Sequence, residues 1–295
     1  MRNPTNNFVQ TAWLRWAHLR YGISPREYFL YGLSKRPYSL WHEYMSNANF
    51  RKLARQVNDP KEQLTVADKP NFYQHCVQHR LPTVPILGVI ENDTPRAPAA
   101  LRISTTDKLI ARLSHHDGPF FLKRLTGHSG KGSFTLEVAG DQLKFADRYG
   151  SAADLIDYCR SQSGKGRGYL LQPRLRLEKS LETIMSPNGI GTVRAFTCLH
   201  KGRARLFAAC LKITVGENIT DNFKHAVSGN LGASIDTETG TLVTCRGPRR
   251  PGILDIIDLP VHPECGRRII GFALPDWQAA KSLVLEAATY TPGLT

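Results

Sequence analysis

The sequence runs to 295 residues, 41% hydrophobic and 22% charged, and 39 Lys or Arg against 25 Asp or Glu leave a net charge of +14. That length supports one large domain or two to three smaller lobes, and no apolar run is long enough to span a bilayer. Met1 to Leu14 has no apolar stretch of signal-peptide length, and none of the six cysteines stands in a C-x-x-C pair, so free thiols in a reducing cytosol are expected.

The positive charge attracts polyanions such as nucleotides, nucleic acid or an anionic membrane face. Basic residues are spread along the whole chain, with local density at Arg174–Arg176 and Arg246–Arg250. That distribution reads as a generally basic protein rather than a nucleic-acid surface.

Residues 8–57 read as helical, with Trp13, Trp16, Leu19 and Ile23 on one face. Ser24 stands as an N-cap before Pro25 at the first helical position. Tyr28, Phe29, Leu33, Trp41 and Tyr44 supply aromatic packing, as core or as a docking surface. The same stripe also suits a membrane-surface or partner-docking helix. Asp68-Lys69-Pro70 opens a further helix that carries Phe72, Cys76 and Val77 and stops before Pro82. A strand is expected over Ile86 to Ile90, a proline-containing loop over Asn92 to Ala99, and a helix over Thr106 to Leu113.

The segment Phe120 to Glu137, F-F-L-K-R-L-T-G-H-S-G-K-G-S-F-T-L-E, is the most informative in the chain. Its two alternating runs predict strand, glycine loop, strand, with Lys123 near the loop mouth. Glycines let backbone N–H groups approach an anion closely, and a lysine adds a point charge. The pattern suits a nucleotide polyphosphate. It also suits a plain hairpin with a glycine turn. It is not a P-loop, because Gly130-Lys131 is followed by Gly132 rather than Ser or Thr and then a helix. A dinucleotide-binding loop needs a helix after the glycines as well.

Ser151 to Gln162 reads as a helix, Ser163 to Gly168 as a break, and Tyr169 to Gln172 as a short strand closed by Pro173. Strands follow at Thr192 to Leu199 and Arg205 to Val215, joined by a turn at His200-Lys201-Gly202. Another turn is expected at Asp236 to Gly240, and a last helix at Trp277 to Tyr290. Interleaved strands and helices predict an α+β architecture of several lobes.

The order of these pieces resembles the ATP-grasp superfamily, and within it the sugar-transfer-associated ATP-grasp proteins. The resemblance rests on D-K-P-N-F-Y-Q-H-C-V-Q-H-R-L-P-T-V-P, the lysine strand with its glycine loop, Y-L-L-Q-P, G-T-V-R-A-F-T, and D-N-F followed by I-D-T-E-T-G-T-L. It implies an ATP-grasp fold, two α+β lobes gripping ATP, behind an N-terminal helical extension. The corresponding divisions are residues 1–60 for the extension, 61–105 for a segment before the fold, 106–168 for the glycine-loop lobe and 169–295 for the second lobe.

The resemblance also implies roles. Lys123 and Lys69 would meet the phosphates of ATP. Gly127, His128, Ser129, Gly130, Lys131 and Gly132 would form a lid over the polyphosphate. Leu170, Leu171 and Gln172 would offer backbone edges to adenine, and Glu178 stands where an acid could contact ribose. Arg194 would lie near the transferred phosphoryl group, with Asp221 and Asn222 in an active-site loop. Lys224 and His225 depart from the small residues of the family pattern there.

Mg²⁺ is implied with ATP, held in the family by a Gly-x-Asp and a later Glu-x-Asn after a helix like Trp277 to Tyr290. The sequence ends at Thr295. The expectation is that those ligands are missing, so that the chain is a fragment or has lost catalysis. Glu217, Asn218 and Asp221 offer oxygens by residue type alone. The implied function is an ATP-dependent carboxylate–amine or similar ligase working through an acyl phosphate in cell-surface polysaccharide biosynthesis. The alternative is a non-catalytic nucleotide-binding or scaffold protein of such a system. Implied partners are ATP, a small-molecule or sugar-linked substrate and polysaccharide-biosynthesis enzymes, in the cytoplasm.

Overall fold

A computed structural model describes residues 4–92, 97–126, 130, 132–164 and 168–294. The chain divides into two compact units, one built from residues 1–60 and 177–295, the other from residues 61–176.

The second unit, residues 61–176, is a six-stranded antiparallel sheet with helices. Helix α4 (Pro60–Ala67) and helix α5 (Lys69–Gln78) precede it. Asp68 caps α5 by accepting from the Asn71 N–H at 3.1 Å, and Pro70 takes the early helical position where no N–H is needed. The strands are β1 (Gly88–Glu91), β2 (Phe120–Arg124), β3 (Phe134–Ala139), β4 (Gln142–Phe145), β5 (Arg148–Gly150) and β6 (Gly168–Pro173), in the order β1-β6-β2-β3-β4-β5. Helix α6 (Thr106–Ser114) and helix α7 (Ala152–Gln162) pack on one face.

Strand alternation explains that packing. Phe120 and Leu122 of β2 lie opposite Leu136 and Phe134 of β3, and all four are buried against Leu109, Leu113, Leu155 and Ile156 of the helices. The opposite face carries a smaller cluster of Ile86, Val89, Leu125 and Leu170, with Tyr73 of α5 packed on it. The expected lysine–glycine hairpin is present. The expected strand at Ile86 starts two residues later, because Leu87 only begins the ladder through its N–H to the Leu171 carbonyl at 2.9 Å.

The first unit has an N-terminal helical block and a five-stranded antiparallel sheet. The block holds α1 (Pro4–Tyr21), α2 (Pro25–Leu30) and α3 (Asn47–Val57), joined through short 3₁₀ turns. Ser24 caps α2 as expected, in a capping box with Glu27. Tyr28, Leu33 and Trp41 are buried with Ala17 and Ile23, and Phe29 and Tyr44 pack against them. The reading of the α1 stripe needs correction. Leu14, Ala17 and Tyr21, spaced by three and four residues, face the core. Trp13, Trp16 and Leu19 are exposed.

The sheet comprises β7 (Thr192–His200), β8 (Arg203–Ile213), β9 (Leu231–Ile235), β10 (Leu242–Pro248) and β11 (Ile256–Asp258), in the order β11-β10-β9-β8-β7. The turn between β7 and β8 places Lys201 at φ 50° and Gly202 at φ 73°, both left-handed, as a tight hairpin requires. Ala209, Leu211, Ile213, Leu231, Ala233 and Ile235 form one buried face. Trp277, the first residue of α8 (Trp277–Thr289), is buried in the same cluster. Gly240, at φ 78°, closes the expected turn with its N–H on the Asp236 carbonyl at 2.8 Å. All six cysteines are free, and burial pushes the thiols of Cys159 and Cys245 up to about 12.

Candidate functional site

In the 61–176 unit the chemistry gathers on the sheet face opposite α6 and α7. Lys123 pairs across the ladder with Leu170, and Phe121 with Gln172, so these four side chains share that face. The capped first turn of α5 delivers Lys69, whose Nζ donates to the Leu125 carbonyl at 3.2 Å. Leu125 follows directly on β2, so the end of one strand serves both lysines.

Both ammonium groups are held below their ordinary range. Burial lowers Lys69, with Asp68 opposing the shift. Burial also lowers Lys123, and the charge of Lys69 lowers it further. Two half-buried cations that disfavour each other's charge form a site that an anion would stabilise. The donor set fits a polyphosphate.

The glycine loop follows. Gly130 and Gly132 have φ of 64° and 74°, which only glycine adopts without strain. The Ser133 N–H closes a turn on the Gly130 carbonyl at 3.2 Å. A Cβ on Gly132 would lie 2.8 Å from Arg124 Nε and 3.0 Å from the Tyr169 hydroxyl. Gly127, His128, Ser129 and Lys131 lie outside the described residues.

Leu170 and Leu171 do not have the free backbone edges expected of them. Strand β6 is inserted between β1 and β2, so Leu170 pairs with both Val89 and Lys123, and Leu171 with both Gly88 and Leu122. Their side chains are fully buried on opposite faces. Gln172 lies one step beyond the last β1 pair. Its side-chain amide donates to the Val84 carbonyl at 3.0 Å and fixes the segment before β1. The ladder to β1 ends at Leu171, and Gln172 still pairs with Phe121 of β2.

In the other unit, Arg194 is exposed on β7. Register aligns Thr192 with Lys212, Gly232 and Arg246, and Arg194 with Cys210, Ser234 and Thr244. Both rows lie on the face away from the buried cluster. Gly232 is open there, since a Cβ would meet nothing within 4 Å. Asp221 enters this face from the loop after β8. Its Oδ1 accepts from Lys212 Nζ at 3.0 Å, and its Oδ2 accepts from the Thr192 hydroxyl. Burial pushes the Cys210 thiol up, while Arg194 and Lys212 pull it down.

Asn222 uses its side-chain oxygen locally. Its Oδ1 accepts from the Lys224 N–H at 3.0 Å. Lys224, His225 and Ala226 follow at φ 45°, 54° and 73°, three successive left-handed residues, a conformation that costs energy away from glycine. Asn230 holds this loop. Fully buried, it accepts from the Val215 N–H at 3.0 Å and donates to the carbonyls of Thr220 at 2.8 Å and Asn222 at 3.1 Å. Lys212 and Asn230 were missed in the sequence. Lysine in an alternating strand was the available signal for the first, whereas nothing local marks the second.

Glu178 folds back on its own turn. Its Oε2 accepts from the Ser180 and Leu181 N–H groups at 2.9 and 3.3 Å and from the Ser180 hydroxyl, which lowers its pKa. The side chains suggested for Mg²⁺ also make hydrogen bonds of their own. Glu217 accepts from the Asn188 amide at 2.6 Å, and the Asn218 amide donates to the carbonyls of Val215 and Ser228 at 2.5 and 2.8 Å. Among the described residues, no group of three or more His, Cys, Asp or Glu could hold a metal ion.

No curated protein matches the sequence. Among solved structures, the ADP complex of N5-carboxyaminoimidazole ribonucleotide synthetase is similar with a TM-score of 0.32 and 13% identity, over 66% of this chain and 44% of that one. The chain thus spans less than half the length of that synthetase. No helix among the described residues is long and apolar enough to cross a membrane. The sequence matches the sugar-transfer associated ATP-grasp family over residues 48–295, and the chain belongs to that family.

Proposed function

We propose that this protein binds ATP and uses it to activate a carboxylate as an acyl phosphate, which an amine or similar nucleophile then attacks. The observation that carries the reading is the lysine pair. Lys69 and Lys123 are brought to one face of the 61–176 unit, beside a glycine turn, with both charges disfavoured by burial. A polyphosphate there stabilises the charge of each ammonium and draws on the backbone N–H groups of the loop. The segment around Gln172, just past the last β1 pair, is the proposed place for the base.

In the other unit, Arg194 and Lys212 supply positive charge on an open sheet face, suited to a transferred phosphoryl group or an anionic acceptor. Asp221 orients Lys212. ATP, when bound with Mg²⁺, supplies the phosphoryl group. The family description supports a sugar-linked acceptor and a setting in polysaccharide assembly. A cytoplasmic setting and a helical extension up to residue 60 are part of the proposal, whereas divisions at 105 and 168 would cut the single β1–β6 sheet of the 61–176 unit.

Calorimetry with ATP tests the nucleotide site. Wild-type protein is expected to bind, and Lys123→Met to lose about tenfold or more, the worth of one charge-assisted contact. Unchanged affinity in the variant excludes the lysine face. ADP release with candidate carboxylates and amines then tests the ligase reading separately.

A further inference from the structure

Helix α3 is built unlike its neighbours. Phe50, Leu53, Ala54 and Val57 fall on one stripe at spacings of three, one and three, while Arg51, Lys52 and Arg55 take the other side. No residue of α3 is buried, and Phe50, Leu53 and Val57 are 53%, 44% and 48% exposed. An apolar stripe with no cover costs free energy in water.

The helix is nonetheless firmly mounted. The buried Ser46 caps it, its hydroxyl accepting from the Asn49 N–H at 3.1 Å. Buried Glu27, already engaged in the α2 capping box, accepts from the Asn47 N–H at 2.6 Å with its other oxygen. The Asn49 amide donates to the Tyr21 carbonyl at 3.0 Å. These bonds tie the start of α3 to α1 and α2, so its stripe is presented by a rigid block rather than by a frayed end.

The charge of that block selects the occupant. Pro4 to Val57 contains eight Lys or Arg and two Glu, and one of those, Glu27, is the buried cap. On the same block Trp13 and Trp16 are exposed against Tyr38, with the Trp16 indole N–H donating to the Tyr38 hydroxyl at 2.9 Å. Trp and Tyr rings, apolar in body and polar at one end, favour the headgroup level of a bilayer. A helix of high amphipathicity, low overall hydrophobicity and a Lys/Arg polar face lies in the plane of such an interface. A second copy of the same face is disfavoured, because it would set Arg51, Lys52 and Arg55 against their own like charges.

We propose that the N-terminal block docks this protein peripherally onto an anionic lipid surface, with Phe50, Leu53 and Val57 inserted at the headgroup boundary. The proposal is independent of nucleotide binding. Flotation with phosphatidylcholine vesicles, with and without phosphatidylglycerol, tests it on the full chain. Wild-type protein is expected on the anionic vesicles only, with a blue shift of tryptophan emission. The uncharged double variant Phe50→Gln/Leu53→Gln is expected to lose roughly tenfold in partitioning. Val138→Gln, at an exposed apolar position in the other unit, serves as the control and is expected to bind like wild type. Both altered positions are exposed, and circular dichroism confirms that the variants fold. Three results overturn the proposal. One is no binding by wild type. Another is equal binding by the double variant, which assigns adsorption to the overall charge of +14. The third is a dimer by light scattering that the double variant disperses.

Discussion

Lys212 and Asp221 meet at 3.0 Å on the open face of the five-stranded sheet, with 22% and 14% of their side chains exposed. The partly buried carboxylate also accepts from Thr192, so three elements converge on one ion pair. Removing one partner of such a pair leaves the other charge half-buried without compensation. Lys212→Met is expected to destabilise the protein by roughly 1–3 kcal/mol. Asp221→Asn, which keeps an acceptor for Thr192, is expected to cost less. Urea unfolding followed by tryptophan fluorescence measures both. Equal stability of Lys212→Met and wild type would remove the pair from any structural account of the loop.

Lys123 predicts an opposite sign. Its pKa lies below the ordinary 10.5 because burial and then Lys69 disfavour the charge. Between the depressed folded value and 10.5 the unfolded chain binds more protons, so stability rises with pH through that window. Below it both states are charged, and the folded state bears the whole penalty. Without nucleotide at neutral pH, Lys123→Met is expected to melt higher than wild type, by on the order of 2 °C. The gap should narrow as pH approaches 10.5. With ATP the order should reverse. Scanning calorimetry across pH, with and without ATP, reads both effects, and a variant that melts lower at every pH contradicts the assignment.

The same depression links nucleotide binding to protons. An ammonium partly neutral in the free protein at alkaline pH regains its proton when a phosphate arrives. ATP affinity is therefore expected to fall as pH rises through the depressed lysine pKa, with net proton uptake on binding. Calorimetry in buffers of different ionisation enthalpy measures the uptake directly. Proton release in that range would point to other groups as the phosphate ligands.

Gly232 offers a steric test of the open sheet face. It sits between Lys212 and Arg246 in the ladder with nothing within 4 Å of a Cβ position. Gly232→Val is expected to hold or raise stability by up to about 1 kcal/mol, since a β-branched residue suits a strand better than glycine. It places two methyl groups beside Lys212 while removing no charge. If this face receives substrate, ATP-dependent turnover should fall at least tenfold at unchanged or higher melting temperature. Full activity in a stable variant would assign the chemistry elsewhere.

The lysine–glycine hairpin was legible because its signals are local. Phe120 and Leu122 alternate, Phe134 and Leu136 alternate, and six glycine-rich positions separate them, so period and punctuation agree. The helix starts at Ser24, Asp68 and Ser151 were legible for the same reason. A cap is a bond between residues three apart. The short strands β4 and β5 were not, since Gln142–Phe145 and Arg148–Gly150 are only four and three residues long. They become strands because β3 offers an edge to β4, and β4 in turn offers one to β5.

By itself the sequence determined the elements that neighbouring residues can settle among themselves, together with an order of motifs specific enough to imply the family. Tertiary structure decided what depends on partners distant in the chain. It put Leu14 and Ala17 rather than Trp13 and Trp16 into the core of the helical block. It threaded β6 between β1 and β2, which gave Leu170 and Leu171 a strand partner on either side. It brought Lys69 from the first turn of a helix to the carbonyl of Leu125, a separation of 56 residues, and made Asn230 the anchor of a loop that it follows at no regular spacing. The physical reason is common to these cases. Burial and strand pairing are set by which surfaces meet when the chain collapses, and a residue's own neighbours carry no record of that choice.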